Sequence, residues 1–171
     1  MSLAPLTAAS LAVQLHAWAA ITAFLLGLMV LLWRKGTWLH KAMGRGWVAL
    51  MLAVSLSSFW IHELNQFLGF SWIHLLSVLV LYSMTMAIIE IRRGNVRAHR
   101  IGMLSTFAGA LVIAGLFTLM PGRIMHDSLA AIGGDATSLV LAALLAAAFV
   151  SAGLLAVRNM GIPAWRRRSP G

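Results

Sequence analysis

The 171 residues are 61% hydrophobic and 10% charged, with a mean hydropathy of +0.90, which is more apolar surface than one soluble core of this length can bury. The net charge of +9 does not indicate nucleic acid as a partner, because all the cations but Arg123 gather in three short regions: Arg34, Lys35, Lys41 and Arg45; Arg92, Arg93, Arg97 and Arg100; Arg158, Arg166, Arg167 and Arg168. The chain has no cysteine, which excludes a disulfide framework and any thiolate metal or iron–sulfur site.

Apolar runs of about 20 residues, enough for a helix to cross roughly 30 Å of hydrocarbon, recur five times. They predict an all-α membrane protein with five transmembrane helices: a duplicated four-helix core over residues 1–126, then a fifth, Ala-rich peripheral helix and a basic tail over 127–171. Cytoplasmic loops carry the excess of Lys and Arg, so the N-terminus is expected outside and the C-terminus in the cytoplasm. The basic loops also attract anionic lipid. Residues 1–10 hold no Lys or Arg, so they lack the charged start of a secretory signal peptide, and the first helix is expected to be kept.

The first helix is predicted over about Leu11 to Trp33, with His16 near its outer end. At helical spacing below His16 come Ala20, Ala23 and Gly27, a stripe of small side chains that lets a neighbouring helix, or a flat ligand, approach closely. Trp33, Trp38 and Trp47 near the basic loop read as an interfacial aromatic belt. The second helix, about His40 to Leu64, carries the stripe His40, Gly44, Trp47, Met51, Ser55, Ser58 and His62, too polar for lipid tails and so expected to face the bundle or a wet cavity. Ser55 and Ser58 bonding back to their own helix carbonyls is the plainer reading of their hydroxyls.

The third helix, about Trp72 to Ile91, has His74 near its outer end and Glu90 beside Arg92 and Arg93, where a snorkelling ion pair is expected. The fourth, about His99 to Met120, stops at Pro121-Gly122. A second outer loop then holds Arg123, His126, Asp127 and Asp135. The fifth, about Thr137 to Val157, has Ala142/Ala146 and Ala143/Ala147 at small-xxx-small spacing and reads as a packing or homo-oligomerisation helix.

Two basic loops look like copies of one device, because His16 lies 18 residues before Arg34 and His74 lies 18 residues before Arg92. Six histidines then fall into two layers: His16, His62, His74 and His126 outside, His40 and His99 inside. Histidines on parallel helices at matched depth can face each other across a bundle core, where helical bundles hold cofactors. Two opposed neutral imidazoles in an apolar pocket suit six-coordinate haem iron. The expected pairs are His16 with His74 as ligands of an outer haem b, and His40 with His99 as ligands of an inner one, roughly 25 Å apart along the normal.

The hairpin pattern, with "HKAMG" and "RAHRIGM" opening its second and fourth helices, resembles a family of bacterial predicted membrane proteins of unknown function over about residues 11–126. This implies a four-helix core in a bacterial inner (plasma) membrane. More loosely, the paired-histidine layout is similar to the two-haem transmembrane cytochromes b of the ascorbate-reducible and quinol-linked type. That similarity implies an oxidoreductase-type electron-transfer role, each haem held by two parallel helices, with Arg100, Lys41 and Arg45 helping to bind an electron donor such as a quinol at the inner face. His40 and His99 begin their helices beside cations, and Gly44 follows His40 by four residues whereas Gly102 follows His99 by three. Capping the loop, or meeting a lipid or quinone headgroup, is the other use for an imidazole there.

Two further readings stand beside this one. The outer histidines His16, His62, His74 and His126 could gather zinc or copper with Glu63 or Asp127. Alternatively the protein is a cofactor-free accessory subunit packed by its fifth helix against a larger membrane complex. Hydrolysis has little support, with no acidic pair, no Gly-x-Ser-x-Gly elbow and no nucleotide loop. A coupled transporter lacks its usual signs, a midplane charge or a broken helix.

Overall fold

The computed structural model describes residues 4–61 and 72–160. Its main elements are α1 (Leu11–Leu32), α2 (Trp38–Ser57), α3 (Trp72–Arg92), α4 (Val96–Thr118), α5 (Ile124–Gly133) and α6 (Asp135–Met160). A single helical turn, Ala4–Thr7, precedes α1, and a 3₁₀ turn, Ser58–Trp60, extends α2. The described residues contain no strand. The expected end of the second helix at Leu64, and the tail with Pro163 and Arg166 to Arg168, lie outside the described residues.

α1 starts at Ser10, whose hydroxyl accepts from the Val13 N–H at 3.4 Å, and then holds no charge to its end. It ends where Trp33 turns extended, and there Lys35 folds back so that its ammonium donates to the carbonyls of Val30, Leu31 and Trp33. A cation on the last carbonyls of a helix satisfies orphan acceptors and complements the helix dipole. Gly36 and Gly94, with φ of 80° and 81°, take the left-handed conformation that reverses the chain in each inner loop. Thr37 then caps α2 by accepting from the His40 N–H at 3.2 Å, and Asn95 caps α4 by accepting from the Ala98 N–H at 3.1 Å.

These turns and caps repeat in a register of 58, from Gly36 to Gly94 and from Thr37 to Asn95, as do His16 with His74 and Gly44 with Gly102. His40 and His99 are 59 apart, one residue out of that register. Lys41 is thus the repeat equivalent of His99. The inner pair comes from similar places in the two hairpins, but not from the same one.

α1 packs along α2 and α3 along α4, and the hairpins join where α2 meets α3 and where α1 meets the middle of α4. The core is Ala23, Trp47, Met51, Val80, Met84, Phe107, Leu111 and Val112. At its centre lies Gly27: a Cβ there would stand 2.5 Å from the Trp47 indole nitrogen and 2.8 Å from the Phe107 ring. Phe107 also stacks on Phe24, with centroids 5.5 Å apart. The stripe of small residues on α1 therefore serves helix packing at this level. Gly102 does the same between α3 and α4, with the Ala87 Cβ 2.8 Å from where its own would be.

Within α4, residues Phe107–Ile113 are wound as a π-helix. A wider turn puts Phe107, Leu111 and Val112 on one buried face. Of the α2 stripe expected to face inward, Trp47, Met51, Ser55 and Ser58 are buried, His40 and Gly44 are half-buried, and His62 lies outside the described residues. Trp47, only 4% exposed, is a core residue and not part of an interfacial belt, whereas Trp33 and Trp38 are exposed. It lies nearly three helical turns past the Thr37 cap, and linear nearness to charge misplaced it.

The second outer loop is largely a helix. After Gly122 (φ 78°) the chain forms α5, ends it at Gly134 (φ 77°), and bends by 118° into α6. Leu6 in the N-terminal turn is buried, and that turn packs against α5. α1 to α4 are each long and apolar enough to cross a membrane, and α5 with α6 would make a fifth span if that bent pair is counted as one. Much of the Leu, Ile and Val surface faces outward, as a lipid-bathed bundle requires.

Candidate functional site

At the outer end, His16 is tied to the end of α2. Its Nδ1 lies 3.0 Å from the Val54 carbonyl and 3.1 Å from Ser57 Oγ, which itself donates to Val54 at 3.1 Å. A carbonyl only accepts, so Nδ1 carries the proton. The neutral ring then presents its Nε2 lone pair, the arrangement in which a histidine usually ligates a metal.

His74 is buried on α3, with its ring centroid 5.7 Å from that of Phe59 in the 3₁₀ turn that extends α2. One turn further along α3, Ser77 Oγ meets Ser58 Oγ at 2.6 Å, and Ser58 also donates to the Ser55 carbonyl at 2.7 Å. Both expected outer ligands thus abut the outer end of α2, from α1 and from α3. His126 belongs elsewhere, on α5, with Nδ1 3.1 Å from an Asp127 oxygen. Among the described residues no group of three or more His, Asp or Glu side chains is placed to share a metal ion, so His16, His74 and His126 do not form the zinc or copper cluster. His62 and Glu63, its other expected members, lie outside the described residues.

At the inner end the two hairpins bring four nitrogen groups into electrostatic reach of one another. His40 feels both Lys35 and His99, and Lys35 feels Arg100. Burial, and then Arg100, hold the Lys35 ammonium below its ordinary pKa of 10.5. His99 Nδ1 lies 2.9 Å from the Ala87 carbonyl on α3, so it donates there and leaves Nε2 as the acceptor. The His40 ring reaches the Val30 carbonyl on α1, while its Nδ1 is buried without a partner.

Arg100 is half-buried, as expected of a group close to the inner pair, whereas Lys41 and Arg45 are exposed on α2. The residue not nominated from sequence is Lys35. Its fold-back onto the α1 carbonyls could have been anticipated from a lysine just past a helix end. Glu90 forms the expected ion pair, 3.5 Å from Arg93, and its other oxygen accepts from the Asn95 amide at 2.6 Å.

A family model described as "Predicted membrane protein (DUF2306)" matches residues 13–150. The chain belongs to this family. The match runs beyond the four-helix core and through most of α6, so DUF2306 membership covers both the histidine hairpins and the Ala-rich helix. No curated protein and no protein of solved structure matches the chain. DUF2306 membership thus establishes a membrane protein and assigns no activity.

Proposed function

We propose that the chain is a membrane electron-transfer protein that binds haem b, quinone or both through histidines on the parallel helices of its duplicated core. The observation that carries this reading is the tautomer lock on His16. Its Nδ1–H is held by the Val54 carbonyl, so its Nε2 is prepared as a ligand. His74, its repeat equivalent, is buried at the outer end of α3, and His99 carries the same lock at the inner end.

These donors fit haem iron: neutral imidazoles in a largely apolar bundle, oriented by backbone carbonyls. His16 and His74 would hold the outer group, and His40 and His99 an inner haem or a quinone headgroup, with Arg100 beside them. Bound haem supplies a one-electron carrier. The protein's part is to orient the imidazoles, to exclude water with Trp47, Phe24 and Phe107 below the outer site, and to set cations at the inner face. A bacterial inner-membrane setting, with basic loops on anionic lipid in the cytoplasmic leaflet, belongs to the same reading.

The test is a visible spectrum of the purified full-length protein before and after dithionite. A Soret band and a reduced α-band are expected, and His16→Ala and His74→Ala should remove the same component; loss with only one of them breaks the pairing. A second reading, a cofactor-free accessory subunit, draws support from the Gly27 notch, where aromatic side chains fill the space a flat ligand would need. A preparation without a Soret band that co-purifies with a stable larger complex would establish it.

A further inference from the structure

α2 carries its cations on the side turned away from the core. Trp47, Met51, Val54 and Ser55 mark the buried side of this helix, whereas Trp38, Lys41 and Arg45 are exposed and share a face by their spacing of three and then four residues. The same face continues through Ala49, Leu52 and Leu56, all exposed, so it is aliphatic from there on. An aromatic ring at the inner end, then two cations one turn apart, then aliphatic surface is the order of groups that a phospholipid lying along the helix would meet.

Arg45 lies roughly 10 Å along the helix from Trp38, at 1.5 Å of rise per residue. α2 begins at the inner end and helical side chains lean toward the helix start, so the guanidinium reaches back toward the headgroups and up beside Lys41. Like charges one turn apart repel, and a charge facing hydrocarbon is costly without a counter-ion. Neither cation has an acidic partner among the described residues, because Glu90, the acid at the inner end, is taken by Arg93 and Asn95. What is missing is an anion that reaches this depth.

We infer that Trp38, Lys41 and Arg45 form a binding site for one anionic phospholipid, its phosphate held between the ammonium and the guanidinium and an acyl chain laid along Ala49, Leu52 and Leu56. Arg45 presents a planar fork to paired phosphate oxygens, and Lys41 acts as a point charge beside it. A zwitterionic headgroup brings its own cation to this pair and is disfavoured. The site is local, unlike the diffuse attraction of basic loops for a leaflet, and it occurs once per chain: in the register of 58 the second hairpin has Val96, His99 and Met103 at the equivalent positions. It also gives Lys41 and Arg45 a use apart from the inner histidines, and its occupancy is independent of haem and quinone.

The experiment is native mass spectrometry of the full chain released from nanodiscs of equal parts dioleoyl phosphatidylglycerol and dioleoyl phosphatidylcholine. The two lipids share their acyl chains and phosphate and differ in net charge. One phosphatidylglycerol retained per chain, favoured about ten-fold or more over phosphatidylcholine, is expected, because charge-assisted hydrogen bonds to the phosphate are at stake. Lys41→Gln and Arg45→Gln should each reduce that preference. Arg97→Gln removes the same charge from the inner end at an exposed position off this face, and should leave the preference unchanged.

Equal retention of the two lipids overturns the inference, as does an equal loss from Arg45→Gln and Arg97→Gln, which is the result of diffuse charge alone. Displacement of the retained lipid by inorganic phosphate marks a site for a free anion and overturns it too. The comparison of the two lipids on the unsubstituted chain decides the matter even where a variant fails to fold. A preparation with a Soret band and no lipid preference loses this inference alone. One with the preference and no Soret band loses only the haem half of the functional reading.

Discussion

A neutral imidazole has one proton to give, and where it goes decides what the ring can still do. His16 and His99 each give it to a main-chain carbonyl that is fixed by helix geometry, so their free nitrogens are set by the fold and not by solvent. The sequence displayed the histidines and their near-repeat, because His16 and His74 differ by the same interval as the glycines and caps of the inner loops. It could not display the tautomers, since Val54 and Ala87 are unremarkable aliphatic positions whose carbonyls matter only once helices are side by side.

Trp47 is a core residue for the complementary reason: depth in a helix depends on where the helix starts, and Thr37 starts α2 nearly three turns before it. Lys35 yields a prediction at this scale. Burial and Arg100 make its protonated form less favourable in the fold than in the unfolded chain. This penalty is present below the folded pKa and is relieved as pH rises through that pKa toward 10.5. Arg100→Gln should therefore move the Lys35 titration upward, toward the ordinary lysine value. Reductive ¹³C-methylation and NMR can follow this, because Lys35 and Lys41 are the only lysines in the chain. No change in the Lys35 midpoint would mean that Arg100 does not lie against it.

The helices themselves were legible wherever an apolar run was long. The expected start of the first helix at Leu11 and of the third at Trp72 match, and the observed ends lie within a residue of those expected. Two features at this scale were not legible. α5 is ten residues long between two left-handed glycines, so no transmembrane-length signal marked it, and its charges suggested a loop. The π-wound stretch of α4 has no composition of its own: it exists because Phe107, Leu111 and Val112 all pack inward against the first hairpin.

Gly27 is where that packing is tightest, since α1, α2 and α4 meet there with no room for a methyl group. Gly27→Ala should cost about 1–3 kcal/mol, the usual range for overpacking a filled core. The indole and the ring it would strike are both held in place by other helices. Gly44→Ala, where nothing lies within 4 Å of the added carbon, is the control and should be neutral or slightly stabilising. Unfolding in mixed detergent micelles, followed by tryptophan fluorescence, gives the comparison. Equal stability of the two variants would show that the three helices do not close on Gly27.

At the scale of the whole molecule, charge settled orientation only as an expectation, whereas hydropathy gave the number of helices almost directly. The ambiguity that remains is physical. α5 and α6 meet at a bend of 118°, so α5 either lies along the outer surface before α6 crosses or shares a broken span with it. Leu6 and the N-terminal turn pack on α5, which puts the start of the chain and α5 on one side of the bundle, opposite the inner loops. That side is the outside if the cations of both inner loops are retained in the cytoplasm. The absence of cysteine allows a direct measurement with single substitutions at exposed or terminal positions. Arg97→Cys, in the exposed first turn of α4 beside the second inner loop, should react with a membrane-impermeant maleimide only from the cytoplasmic side, and Asp127→Cys on α5 only from the outside. Ser169→Cys then separates the two courses of α6. Labelling from the cytoplasm means that α6 crosses and the basic tail ends beside the inner loops, giving five spans. Labelling from the outside means that the chain returns, and the cations of Arg166, Arg167 and Arg168 would then sit against the orientation that the two inner loops impose. The five-span arrangement is expected, because it alone places all three basic regions on one side and leaves the inner histidine pair facing the cytoplasmic leaflet.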